Sequence, residues 1–314
     1  MEIANKLELH YYFTDQSHEI DANIRNKCEA ELLALISEIA TTLNIDAQLI
    51  AEAVKEGGFR EFWKLIGNNI GQITVVLLLA QLMVTTIPML LESENEELES
   101  ELNRLKIEET SLNIEKLRKE LKENEPTEEV VNKAKKHLSN NLKIIKRRSN
   151  FYSTLSEYQK MNSVGFNVIN ELNHPINKEC KVPKADFRKF ILSSNKLKAE
   201  EVETEIEIIS PVLKEGRYKW KGIYNEVPIG FEMLDHSFKE LILFENIPFQ
   251  HGTIIVCVLR IKRELDEVGE VKITGYAVTT VIEKIDSDTT YETQQGKNYR
   301  HAKKEKESQG ELPL

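Results

Sequence analysis

Residues 70–91, IGQITVVLLLAQLMVTTIPMLL, run for 22 positions without a charge, although lysine, glutamate and aspartate crowd the chain on both sides. At about 1.5 Å per residue such a run extends roughly 33 Å as a helix, enough to cross the hydrocarbon core of a bilayer. The pattern therefore predicts one membrane-spanning helix. Upstream, Leu7 to Phe13 alternates weakly and is rich in aromatics. After it, Ile20, Ile24, Cys28, Leu32, Leu35, Ile39 and Leu43 recur at spacings of three or four. That period is an amphipathic helix, with Ser17 as its N-cap. Ile45 to Val54 reads as a second strand closed by Gly57-Gly58, so residues 1–58 make a small α/β unit of β-α-β type. Phe59, Phe62, Trp63, Leu65 and Ile66 follow, interspersed with Arg60 and Lys64. Aromatics beside cations favour a water–lipid boundary, so residues 59–91 read as an interfacial segment leading into the transmembrane helix.

Beyond Leu91 the composition reverses into a glutamate-rich stretch in which Leu91, Leu98, Leu105 and Leu112 recur at seven. A repeat of seven is the seam of a coiled coil, although Glu109 interrupts the apolar pattern. Pro126-Thr127 restarts the helix, and Val130 to Met161 stays helical in character while turning basic, which makes residues 92–161 a coiled-coil and basic helical stalk. From Ser163 the period shortens to two, in Val202 to Ile209, Tyr218 to Tyr224, Thr253 to Lys262 and Val271 to Ile285. Phe238 to Phe244 reads as a short helix among them. Residues 163–286 are thus a β-rich sensor domain, a small barrel or sandwich, and the polar residues 287–314 read as a disordered tail. The expected fold class is an α+β membrane protein.

Charge narrows the partners. Over 314 residues the net charge is −10, which excludes a general nucleic-acid coat and genomic DNA binding, since phosphate contact needs a basic surface. Any anionic ligand must meet a local basic patch. The three cysteines, Cys28, Cys180 and Cys257, are odd in number and far apart, which fits reduced thiols better than a disulfide framework or a zinc site. The N-terminus lacks a basic segment followed by an apolar one, so no cleaved signal peptide is expected.

On a helix of 3.6 residues per turn, Gly71, Thr74, Gln81 and Thr85 share one narrow face of the apolar run. Polar groups in hydrocarbon want partners, so this stripe could line an uncharged pore among several copies. It could also belong to a single anchor helix, or to the core helix of a soluble oligomer. The heptads favour a homo-oligomer. Lys143, Lys146, Arg147 and Arg148 lie at helical neighbour spacing and could hold phosphates, or could neutralise the acidic helix before them. Arg217 and Lys219, with Lys221, interleave with Tyr218, Trp220 and Tyr224, a combination able to stack bases and neutralise phosphate. Strand alternation would instead send the aromatics inward and the cations outward. No Walker loop, Rossmann fingerprint, His-Glu-x-x-His or Cys-x-x-Cys occurs, so the chain reads as a non-enzyme with no catalytic residues, no metal site and no cofactor.

The small α/β unit, the EGGFREFWKLI lead-in, the charge-free run, the glutamate-rich coil and the β-rich C-terminal part together resemble the single-span membrane effectors of bacterial anti-phage loci. In layout the chain is most similar to the ion-channel effector of the Hailong defence system. That resemblance implies a homo-oligomeric, ligand-gated pore in the bacterial inner membrane, opened by a nucleotide-type signal from a partner nucleotidyltransferase. A membrane-anchored adaptor whose β-rich domain binds a protein partner is the alternative. The positive-inside count slightly favours a cytoplasmic N-terminus, which for a single pass would put the sensor domain outside.

Overall fold

A computed structural model describes residues 2–15, 19–52, 59–86, 114–122, 127–214, 216, 218–244, 248–287 and 289–310. These form two compact units, one of residues 1–194 together with 267–270, the other of 195–266 and 271–314.

The first unit is a five-stranded antiparallel sheet in the order β2-β3-β1-β4-β5. Its strands are β1 (Lys6–Phe13), β2 (Gln48–Glu52), β3 (Phe59–Ile66), β4 (Met161–Ile169) and β5 (Cys180–Pro183). Helix α1 (Ala22–Leu43) joins β1 to β2. The connection from β3 to β4 carries α2 (Ile70–Thr85), α3 (Glu128–Leu138) and α4 (Leu142–Glu157). The first four strands thus follow the β-α-β-β-α-β order of a ferredoxin-like sandwich. Alternation assigns the two faces: Leu7, Leu9, Tyr11, Trp63, Leu65, Val164, Phe166 and Val168 are buried in the core with the apolar sides of the helices. Asp21 caps α1, its carboxylate accepting from Asn23 N at 2.8 Å and Ile24 N at 3.1 Å. Ser17, the cap expected from sequence, lies outside the described residues.

The transmembrane expectation is overturned here. Among the described residues no helix is long and apolar enough to cross a membrane. The charge-free run yields the 16-residue α2, about 24 Å at 1.5 Å per residue, which ends at Thr86. Residues 87–91 lie outside the described residues. An evenly apolar helix needs apolar surroundings on all sides, and a protein core supplies them as well as lipid does. Helix α2 is packed against α1, α3, α4 and strands β3, β4 and β5.

The polar stripe on α2 is spent inside this core. Thr74, 1 % exposed, bridges the amide and carbonyl of Ala4 at 2.9 Å each. Gln81, also 1 % exposed, donates to the Phe166 carbonyl at 2.8 Å and accepts from the Asn177 side chain at 2.6 Å. Thr85 donates back to the Gln81 carbonyl at 2.7 Å, and Gly71 sits half-buried in the first turn. With no membrane span among the described residues, the stripe of Gly71, Thr74, Gln81 and Thr85 lies on a core helix: Thr74 and Gln81 attach it to the residues before β1, to β4 and to the loop before β5, while Thr85 bonds within the helix.

The segment expected at a lipid boundary is strand β3, with Trp63 and Leu65 in the core and Arg60 and Lys64 on the opposite sheet face. The heptad leucines up to Leu112 lie outside the described residues. Leu117, Leu121, Val130, Val131, Ala134 and Leu138 are buried in the first unit's core, so the described part of 92–161 packs on its own sheet and is not a free stalk.

The second unit begins at Asn195 rather than at Ser163, because β4 pairs with β1. Its strands are β6 (Lys196–Ser210), β7 (Trp220–Tyr224), β8 (Val227–Met233), β9 (Ile254–Leu265), β10 (Val271–Ile285) and the short β11 (Thr290–Glu292). They run β11-β10-β8-β7-β6-β9, and the additional β9–β10 pairing closes β6, β7, β8, β10 and β9 into a five-stranded barrel. Among the described residues only the β8–β10 seam is parallel. Helix α5 (His236–Phe244) lies between β8 and β9, which completes the topology of an OB-type Greek-key barrel. Trp220, Phe231, Phe238, Ile255, Cys257, Leu259 and Val278 fill the barrel. Residues expected to form a disordered tail instead provide β11 and helix α6 (Gln294–Gly310), which packs on β10. Its Arg300 pairs with Glu283 and Glu292 at 2.6 and 2.8 Å, side-chain contacts that polarity alone does not announce.

Because α2 is a core helix, Leu79→Ala, which opens a cavity at a fully buried position, should cost about 2–5 kcal/mol. Gln81→Leu, which orphans the Phe166 carbonyl and Asn177, should cost about 1–3 kcal/mol. Denaturant unfolding of the two variants checks both values. A helix facing lipid or a pore would leave the unfolding of the first unit nearly unchanged in both.

Candidate nucleic-acid interface on the barrel

Two stretches were candidate anion sites from sequence. The helical one is dispersed by the fold. Arg147 pairs with Glu31 at 3.1 Å, and Lys143 with Glu270 at 2.8 Å and more loosely with Glu38 at 3.9 Å. Arg148 is buried and donates to the Met83 carbonyl at 3.0 Å, where loss of solvation lowers its pKa to about 10. Lys146 is buried as well. Lys143, Arg147 and Arg148 thus turn to different partners, and among the described residues they share no anion pocket.

The barrel stretch survives in altered form. Trp220 is fully buried and closed to a ligand, while Tyr224 is partly buried and packs against the barrel core beside Tyr276. Tyr218 precedes the strand and is 55 % exposed. Its ring lies over Gly216, whose φ of +136° suits glycine and where a β-carbon would strike that ring. Arg217 lies outside the described residues. Lys219 and Lys221 are exposed, with no ion-pair partner among the described residues.

Register then assembles a surface that the sequence does not show. On β7 Lys221 stands opposite Gly230 of β8, and on β10 Gly275 stands opposite Lys262 of β9. The parallel seam matches Phe231 to Tyr276, so Gly230 and Gly275 are neighbours across it. One row across four strands therefore reads Lys221, Gly230, Gly275, Lys262: bare backbone flanked by cations. The Lys219 stem passes 3.9 Å from the β-carbon position of Gly230, and the Lys262 stem 3.7 Å from that of Gly275. The next row contributes Ile223, Pro228 and Ile273, the last 53 % exposed. Two acids adjoin this face: Glu232, bound to Lys262 at 3.0 Å, and exposed Glu207 of β6, which stands opposite Ile223.

The arrangement supplies an apolar floor with a positive edge at Lys219 and Lys221 and an ion pair, Lys262 with Glu232, at the other side, suited to a planar ring carrying phosphate. The β7–β8 hairpin is closed by Asn225 and Glu226, both at positive φ (47° and 65°), the conformation of a tight two-residue turn whose twist matches its strands. At the other end Asp235 accepts from Phe238 N at 2.9 Å, Val281 N at 2.7 Å and the Gln295 side chain at 3.0 Å, fixing α5 and the parallel seam. The acids of β6 are partly matched by bases of other elements, Glu201 by Arg260 at 2.7 Å and Glu203 by Lys303 at 2.7 Å.

Lys221 was legible in the sequence, while Gly230, Gly275 and Lys262 were not singled out. An isolated glycine inside each of VPIGFEM and VKITGYAV was the available signal, since glycine in a strand interior often marks close approach of a ligand or backbone. Among the described residues no cluster of His, Cys, Asp and Glu could hold a metal ion. Comparison with protein-family models, characterised proteins and solved structures finds no match, so geometry carries the functional argument.

Burial pushes the thiols of Cys28 and Cys257 up to about 12, whereas Cys180 is only partly covered. With thiolate as the reactive species, one thiol per native chain should react with Ellman's reagent near neutral pH, and three after denaturation. Peptide mapping should place the native label on Cys180.

Proposed function

We propose that this chain is a ligand-binding protein whose barrel recognises a short single-stranded oligonucleotide or similar nucleotide-type signal. The observation that carries the reading is the Lys221-Gly230-Gly275-Lys262 row beside exposed Tyr218 and Lys219. Glycines let a base or sugar lie on the backbone, Tyr218 offers a stacking face, and the lysines neutralise phosphate. Barrels of this topology commonly present their second and third strands and the adjoining loops to oligonucleotides or oligosaccharides, which supports the reading as an analogy of fold. The charge favours the anionic class. With a net charge of −10 on the whole chain, duplex binding along an extended surface is disfavoured and a local site is required.

Fluorescence anisotropy with labelled 12-mers of dT and rU, in low salt, tests this. Lys219→Glu with Lys221→Glu should weaken binding at least tenfold. Replacing two phosphate-contacting lysines should also flatten the dependence of log affinity on log salt by about 1.4, at roughly 0.7 per contact with a single strand. Gly230→Val should weaken binding without changing the salt slope, because it fills the floor and leaves the charges. Absence of binding to either oligomer by the wild-type chain, or equal binding by the double variant, would refute the reading.

A further inference from the structure

We propose that the open face of the first unit's sheet holds a second anion site, suited to a phosphate group and occupied in the free protein by the carboxylate of Glu179. The face opposite the helices carries a row of its own: Arg60 on β3, His10 on β1, Gly165 on β4 and Lys181 on β5 stand opposite one another in register. As on the barrel, a strand glycine lies in the row, here between the His10 ring and Lys181. Here the floor is covered. Both Glu179 oxygens accept from the Tyr12 hydroxyl at 2.9 Å, and a β-carbon on Gly165 would collide with that carboxylate. The Glu179 side chain comes from the loop before β5 and is 29 % exposed, so it lies on the face and is not sealed beneath it.

The surrounding groups fit a larger anion better than this one. His10 Nδ1 is 3.9 Å from the Glu179 carboxylate, beyond hydrogen-bond length. The Lys181 ammonium stands 3.5 Å from the centre of the Tyr12 ring, and no described acid pairs with it. A tetrahedral phosphate has oxygens enough to reach the Tyr12 hydroxyl, the His10 ring and Lys181 together, whereas a planar carboxylate saturates only the first. Arg60 is matched by Glu8 at 2.9 Å, and Glu8 also accepts from Asn167 at 2.8 Å, so this neighbouring pair forms a rigid wall. Burial first and Arg60 second lower the His10 pKa, while burial and the Glu179 hydrogen bond raise that of Tyr12 to about 12. The Tyr12 hydroxyl therefore stays a neutral donor, and Lys181 supplies the charge. This site is independent of the barrel reading, since it shares no residue with it.

Titration calorimetry of the full chain with inorganic phosphate tests the assignment. Glu179→Ala and Glu179→Gln should each bind phosphate at least tenfold more tightly than wild type, and adding Lys181→Ala should remove the gain. Glu171→Gln deletes another carboxylate on the same face, one that pairs with Lys64 at 2.5 Å, and should give no gain. Equal gains at positions 171 and 179 would reduce the effect to net charge and overturn the proposal. So would unchanged affinity in folded Glu179 variants. Failure of both Glu179 variants to fold would make that side chain a structural support and likewise overturn it.

Discussion

The barrel closes on three parallel residue pairs, Phe231 with Tyr276, Glu232 with Ala277 and Met233 with Val278. Every other seam is antiparallel and can be nucleated by a hairpin or extended pairing, but a parallel seam needs a crossover to bring its strands together. Helix α5 and strand β9 supply that crossover, and Asp235 locks its start by bonding both the helix amide of Phe238 and the β10 amide of Val281. If this seam slipped by one residue, core and surface positions would exchange and the two glycines would no longer sit side by side. The candidate ligand floor thus depends on a register that also decides whether Phe231 is in the core.

The first unit answers a different constraint. Helix α2 has no charged face, so it cannot lie on a surface and must be enclosed. Enclosure is provided by the sheet on one side and by α1, α3 and α4 around it. Its few polar side chains then become attachments. Thr74 holds the N-terminal residues before β1, and Gln81 holds both β4 and the loop that leads to β5. In a membrane the same side chains would have needed partners from neighbouring helices, which explains why the stripe looked purposeful without revealing its purpose.

The two units use similar means on their sheets. Each places a strand glycine beside a lysine in a cross-strand row, while keeping the opposite face packed. On the barrel the glycine row is open and Glu232 is tied to Lys262; on the first sheet a carboxylate from the same chain lies over the glycine. A strand glycine has a cost in conformational entropy, so its position in such rows reflects a close approach rather than neutral filling.

The amino-acid pattern by itself determined the local elements with long, regular periods: helix α1, the short helix α5, and the alternating strands β6, β7, β9 and β10, because each rests on interactions among residues close in sequence. It also showed that no familiar catalytic motif is present, whereas its reading of all three cysteines as reduced buried thiols holds for the burial of Cys28 and Cys257 and not for Cys180, which is only partly covered. Only the tertiary structure decided whether residues 70–85 face lipid or protein, since hydropathy measures aversion to water and both surroundings satisfy it. The same holds for the basic helix, whose cations were equally able to bind a ligand or the glutamates of α1. Tertiary pairing alone decided that Gly230 meets Gly275 and that Glu179 meets Tyr12, because strand register joins residues tens of positions apart and leaves no trace in local spacing.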